Sequence, residues 1–533
     1  MLALEEPANE QREDEMRGIL RASLTAVASA AVLLSAGNVG AQSTDNTIRF
    51  ATASIAPSFG RPEQGTASPS VYTLWPMYDS LTRVSPQGDV SGLLASSWKN
   101  IDASTWEVTL KRGVKFHDGT ELTSKQVVDQ FTYLVSNEEA AGTVAFSTNQ
   151  RQAFVQTAEA VGDYTIRFTT TQPNPELPRQ LAGFWIPETG TRDDLGTDVF
   201  SKEPVGTGPY MKPVFTGGVD GFIELVAFDD ALRKPNIPNL RIQALREAAT
   251  RVTSILSDEI DIAQGVPFDS KAQLEGGGHR VDIASRPSAM GWRFMSVRQN
   301  SPFHDKRVRQ AANYAIDRQS IADDLLGGTT VPAGQCATRF TFGYNPQVKP
   351  YPYDPGKAKQ LLAEAGFPDG FETEIMVIPG AFPADAEIYQ FAAQQLGAVG
   401  IRAKLTQITF AQWLDMWFAK KKGPEGGLGF SDIFQNSCHN FNAIPFDSYP
   451  NLSCKKDPGS HCDAAETAKL DEAMGEFDVE KRRKLVQELM VLNNENAPNL
   501  FFVELTDLTG LNKRVNGFTN IIQRFNFHEI TLN

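Results

Sequence analysis

The sequence predicts an α/β protein built from at least two lobes. Three observations lead there. The chain has 533 residues, too many for one ordinary core. Its second half alternates helix-period and strand-period segments, the pattern of a lobe with a largely parallel sheet. Its first half, from about 84 to 200, is instead rich in short alternating strands such as Tyr164-Thr-Ile-Arg-Phe-Thr169. Hydrophobic residues at 41% and charged residues at 21% are the proportions of a soluble globular protein. The net charge of −14 argues against a nucleic-acid partner, because phosphate binding needs clustered Lys and Arg.

Taken in order, the N-terminus reads as an export signal. Arg17 and Arg21 supply positive charge, Leu24 to Leu34 is a short apolar run, and Val39-Gly40-Ala41 offers small residues for cleavage before Gln42. The apolar run is too short for a permanent span, so the protein is expected not to cross a membrane. The acidic first fifteen residues do not suit a signal, which points to a start at Met16. Export implies an oxidising space, where Cys pairs become disulfides. The four Cys are Cys336, Cys438, Cys454 and Cys462, and none lies at the cleavage point, where a lipid anchor needs one. Four Cys allow three connectivities. Cys454 with Cys462 is the most local choice and leaves Cys336 with Cys438; the sequence leaves the pairing open.

Residues 47–55 alternate as a first strand, and Leu74, Met77, Tyr78 and Leu81 fall at helical spacing within 70–82. In Trp106-Glu-Val-Thr-Leu110 one face is apolar; Arg112-Gly113 breaks the run and Val114 and Phe116 resume it as a second strand. His117-Asp118-Gly119 is a tight turn with His117 in a structural role. Thr123 with Gln126 forms a capping box for a helix carrying Val127, Phe131, Leu134 and Val135. Strands at 222–228 and 260–263 flank a helix at 247–257. Asp305, Asp317 and Asp354-Pro355 each cap a helix, and Gly366 ends the third. Strand 373–378, helix 386–398, strand 401–408, helix 410–420, strand 428–433 and helix 480–493 follow.

No nucleophile elbow, P-loop or HExxH pair is present. Cys454, His461 and Cys462 lack a zinc spacing, and export favours a disulfide there. The chain is therefore read as a non-enzyme without metal or cofactor.

Four stretches resemble one family. Trp106 to Val128, Val205-Gly-Thr-Gly-Pro-Tyr210, Pro302-Phe-His-Asp-Lys-Arg-Val-Arg-Gln-Ala311 with Tyr314-Ala-Ile-Asp-Arg318, and Tyr353-Asp-Pro-Gly-Lys-Ala-Lys-Gln-Leu-Leu362 with Ala365-Gly-Phe367 are similar, in order, to motifs of the solute-binding proteins of peptide, nickel and opine ABC importers. The resemblance implies a two-lobed periplasmic-binding-protein-like fold of the large type II, cluster C kind, with an extra subdomain in the first lobe. After the signal peptide read over 1–41, it implies a first lobe of 42–82, 205–295 and 503–533, an extra subdomain over 83–204, and a second lobe over 296–502. The chain would cross between lobes near 294–297 and 501–504.

The resemblance further implies a monomeric periplasmic receptor that closes on a di- or oligopeptide and delivers it to an ABC permease. An opine, an oligosaccharide or a metal chelate in the same fold, or a secreted hydrolase, are the alternatives. Asp432, in Gly429-Phe430-Ser-Asp432, looks like the acidic residue that pairs with a peptide's α-ammonium in peptide-binding members. Phe430 and Phe434 flank it. Trp413 stands where relatives carry a Trp, and Trp417 shares its helix face. Tyr72, Trp75 and Trp185 are the remaining candidates for an aromatic wall around the ligand.

Overall fold

A computed structural model describes residues 46–56, 59–62, 70–85, 88–136, 155–216, 221–418, 430–435, 438–439, 452–455, 459–521 and 524–533. The expected signal segment lies outside them. Among the described residues, no helix is long and apolar enough to cross a membrane.

Two long strands organise the molecule. The first crossing strand is Arg280–Phe294 and the second is Asn499–Leu511. They pair antiparallel along their length, at the centre of a sheet of eleven strands among the described residues, one of which, Cys438–His439, pairs with the first crossing strand off the main path. On one side the sheet continues through Ile433–Gln435, Phe371–Val377 and Ile401–Gln407, which run parallel to one another. On the other side come Ile262–Gln264, Thr47–Thr52 and Asn239–Ala244, also mutually parallel, and then Phe222–Ala227 and Tyr210–Thr216, which are antiparallel. The sequence suggested a largely parallel sheet for the second half. The structure has three parallel strands there, abutting antiparallel crossing strands, because the chain enters that half on one crossing strand and leaves it on the other.

Each end of the crossing strands enters a different core. Met290, Trp292, Phe294, Leu500 and Phe502 pack with Phe303, Val308, Ile388 and Ile433. Leu511 packs with Ile48, Phe50, Tyr72, Ile242 and Ile262, and Leu508 with Ile255 and Leu274. The ladder shifts register between Ser285 and Ala289 and again between Ala289 and Gly291. The irregular stretch of this strand between the two cores therefore falls near 286–289.

A separate four-stranded antiparallel sheet, in the order Ala95–Asp102, Thr105–Leu110, Thr165–Thr170, Val155–Gly162, covers a third core of Trp106, Phe116, Phe131 and Phe168. Val114–Phe116 forms no strand; Lys115 makes only an isolated bridge with Glu121. Gly113 at φ +70 turns the chain away before pairing can resume. Gln126 reaches back to the Thr123 amide at 3.0 Å, starting helix Ser124–Ser136.

The signature motifs are fastenings. His117 accepts from the Gly206 amide at Nδ1 (3.2 Å), and its Nε2–H donates to the Gly208 carbonyl (3.0 Å). Burial pushes the His117 ring down to about 4, so it stays neutral. A Cβ on Gly206 would lie 2.1 Å from the Met77 carbonyl oxygen, so only glycine lets these backbones meet. Arg309 donates to the carbonyls of Asn496, Phe303 and His304, and Arg318 to those of Phe501 and Asn313. Burial lowers both guanidiniums to about 10. Asp305, Asp317 and Asp354 each accept a backbone N–H at their helix starts.

Candidate functional site

A cavity of about 310 Å³ lies beside the passage between the cores. Its floor is Arg286 and Met290 of the first crossing strand and Val503 to Leu508 of the second. One wall is Gln264 to Phe268, the chain just leaving strand Ile262–Gln264. The facing wall includes Leu326, Thr329, Pro383 and Ala384. Pro383 and Ala384 follow the C-terminal end of Phe371–Val377. Ligands of open α/β sheets bind outside the carboxyl ends of parallel strands, and here such ends from both halves converge.

Both walls are pinned. The amides of Gly265 and Val266 donate to the Leu508 carbonyl at 2.9 and 3.2 Å. Gly265 has φ +67, which the tight turn requires. Opposite, the buried Asp385 carboxylate accepts from the amides of Gly380 and Phe382, each at 3.0 Å. Ala384 is held at φ +52, a left-handed conformation that costs a non-glycine residue of order 1–3 kcal/mol.

The polar groups of the floor come in pairs. Arg286 Nε donates to Asp507 Oδ1 at 2.6 Å, Nη2 donates to the same oxygen, and the Tyr72 hydroxyl approaches Oδ2 at 3.4 Å. Burial opposes the Arg286 charge, but Asp507 outweighs it and holds the guanidinium above its ordinary value. Glu504 accepts from Arg339 Nε at 3.1 Å. Burial pushes the Glu504 carboxyl up, with Arg339 pulling against it. Sequence reasoning missed Gln264, Arg286, Glu504 and Asp507. Two signals were available: Glu504 and Asp507 are the only charges in the apolar run Asn499–Leu511, and Pro287 interrupts a strand.

The structure separates the residues singled out from sequence. Tyr72, Trp75 and Trp185 lie in the core against the Thr47–Thr52 strand, at 0%, 4% and 4% exposure. Trp75 sits against Trp185 and beneath the guanidiniums of Arg233 and Arg524, 4.2 and 5.4 Å from its ring. Of the three, Tyr72 reaches nearest the cavity, one hydrogen bond behind its floor. Phe430 and Phe434 stack at 4.3 Å and are buried in the other half. Trp413 is half-buried and donates to the Gln435 carbonyl at 3.2 Å. Trp417 is on helix Phe410–Phe418, but its side chain lies outside the described residues.

Asp432 differs most from expectation. The strand is Ile433–Gln435, not 428–433, and residues 428–429 lie outside the described residues. Asp432 therefore precedes the strand, whose first residue, Ile433, pairs with Ile375 near the C-terminal end of Phe371–Val377. Its carboxylate is held by Arg298 at 3.3 Å, and its carbonyl accepts from the Met295 amide. The arrangement fastens the start of Ile433–Gln435 to the chain just past the end of the first crossing strand.

Cys336 is bonded to Cys438 and Cys454 to Cys462. Both thiols beside His461 are thus consumed. His461 instead meets the Ser296 hydroxyl at 2.7 Å and Glu466 at 3.5 Å, all three buried.

Residues 89–423, more than half of the chain, match the family described as bacterial extracellular solute-binding proteins, family 5 Middle. The chain belongs to that family. The glutathione-binding protein GsiB of Escherichia coli (strain K12) is 30% identical over 346 residues, 63% of this chain and 64% of that protein. The alignment thus spans less than two thirds of the curated relatives it matches. HbpA2 from Haemophilus parasuis superposes with a TM-score of 0.79 at 23% identity, covering 91% of this chain and 100% of that one. The periplasmic binding protein DppA from Helicobacter pylori, in complex with the peptide STSA, gives 0.72 at 22% identity, covering 91% and 98%. The fold is the two-lobed α/β fold of these proteins.

Proposed function

We propose that this protein is the periplasmic receptor of an ABC importer. It captures a di- or oligopeptide by hinge closure, makes and breaks no covalent bond, and presents the closed form to a membrane permease. The moving bodies would be 42–82 with 205–295 and 503–533, carrying the subdomain 83–204, against 296–502. The observation that carries this reading is the cavity of about 310 Å³ bounded by both halves and floored by two strands that pass between their cores. Ligand pockets begin near that size, at roughly 300 Å³. A solute touching both walls favours the closed arrangement because only there are both sets of contacts made. The glutathione- and peptide-binding names of relatives support the choice of peptide.

The test is a thermal melt and a scattering curve with and without a defined mixture of di- to pentapeptides. A peptide at about 100 times its Kd adds about 2.7 kcal/mol to stability. The melting point should rise, the radius of gyration should fall, and mass spectrometry should recover the peptides intact. Shortened peptides would instead make the protein a hydrolase. No response to peptides, with a response to sugars, opines or metal chelates, would move the ligand class.

A further inference from the structure

We propose that Arg286 binds the carboxylate of the solute, and that the solute is a zwitterion with a free carboxyl end; this rests on the peptide reading above. Four observations converge on this residue. Arg286 lies inside the register shift between Ser285 and Ala289, where the first crossing strand bulges. Bulges re-aim side chains and recur beside functional sites. The next residue, Pro287, has no N–H to lose from the ladder. The bulge sets Arg286 into the cavity floor rather than into either core.

The guanidinium is also held in place before any solute arrives. A guanidinium has five N–H donors in a fixed fork. Nε and Nη2 are committed to Asp507 Oδ1, and Asp507, at 4% side-chain exposure, is steadied by Tyr72. The Arg286 side chain stays 27% exposed, far more open than its partner. The Thr338 hydroxyl fixes the backbone by donating to the Arg286 carbonyl at 3.2 Å. A fork fixed along one edge offers its other edge with little ordering left to do, and planar recognition of carboxylates is what arginine does best.

The surroundings favour a zwitterion over a net anion. Val266, Phe268, Met290 and Leu326 give the cavity a largely apolar lining, in which a charge-assisted hydrogen bond is strengthened. Arg286 and Arg339 are balanced by Asp507 and Glu504, so these four formal charges sum to zero. A solute with one positive and one negative end leaves that balance intact. Glu504 also lines the cavity and is the carboxylate available to face the positive end.

The experiment presents the whole protein, stripped of bound solute, with a defined dipeptide mixture and with the same dipeptides as C-terminal amides. Retention is read by mass spectrometry. The free acids should be held about ten- to a hundredfold more tightly than the amides, as loss of a charge-assisted hydrogen bond predicts. Arg286→Gln should erase that preference, and Arg286→Lys should keep part of it. Because Arg286→Gln strands the buried Asp507, its fold is checked by melting, and the acid-against-amide comparison on the unmutated protein needs no variant. Equal retention of acids and amides would overturn the proposal, as would a folded Arg286→Gln protein that still prefers acids. Retention of neither mixture would overturn the peptide reading itself, and this inference with it.

Discussion

Two arginine–carboxylate clusters in this molecule share their chemistry and differ in where they sit. Glu176 lies between Arg179, whose Nε donates to it at 2.9 Å, and Arg482, 2.5 Å away. All three are about 5% exposed, at 4%, 6% and 5%, and the Phe342 ring lies under both guanidiniums. This cluster ties the chain beside the four-stranded sheet to helix Val479–Asn496, next to the stacked pair Trp106 and Phe477. Arg286 and Asp507, in contrast, border a cavity, with 27% of the arginine side chain open. A sealed cluster can only hold elements together. An open one can exchange or share its partner with a solute. Charge type alone therefore does not mark a binding group; one exposed edge beside a void does.

The largest way to test that contrast is Glu176→Gln. It leaves two buried guanidiniums without their carboxylate, and loss of one partner in a buried pair costs roughly 3–5 kcal/mol. Urea unfolding should show it; a loss below about 1 kcal/mol would mean water reaches the cluster and the contrast with Arg286 fails.

A smaller, pH-dependent effect comes from His117, buried like Glu176 but neutral. Its folded value, about 4, lies below the unfolded 6.5 because burial disfavours the charged ring. The unfolded chain thus binds a proton that the folded one refuses. The stability His117 contributes is complete above pH 6.5 and is lost as pH falls towards 4, by at most about 1.4 kcal/mol per pH unit. The difference in melting curves between the protein and His117→Asn should carry that slope; a flat difference would place a protonated ring in the fold. Burial depresses His528 in the same direction, which is why the difference, not the raw curve, is diagnostic.

The smallest effect is expected from Asp432→Asn. Its pair with Arg298 is intermediate, at 30% and 9% exposure, and should contribute at most about 1 kcal/mol to stability. Peptide affinity, measured by calorimetry, should not change. A tenfold loss would return Asp432 to the site.

Much of the scaffold was legible because its signals are local. Asp305, Asp317 and Asp354 cap helices from within three residues, and Gly366 ends one at φ +92. Gln126 finds Thr123 without help from elsewhere. The site was not legible, because its parts are brought together only by topology. Gln264, Arg286, Leu326, Ala384 and Asp507 share no segment and no period. The aromatic candidates Trp75 and Trp185 lie in a core for a physical reason: rings of that size bury the most area. Asp432 drew notice by its neighbours, but a boundary shifted towards Ile433 moved it from the end of a strand to its beginning.

The placement of Asn499–Leu511 has a consequence for how the chain is made. This strand is synthesised after both of its neighbours, yet it lies between Arg280–Phe294 and Ile262–Gln264. Until it emerges, two hydrogen-bonding edges stand bare in the middle of the sheet, and such edges invite pairing with other chains. A product cut short before residue 499 would keep both edges, and neither half could finish its core alone.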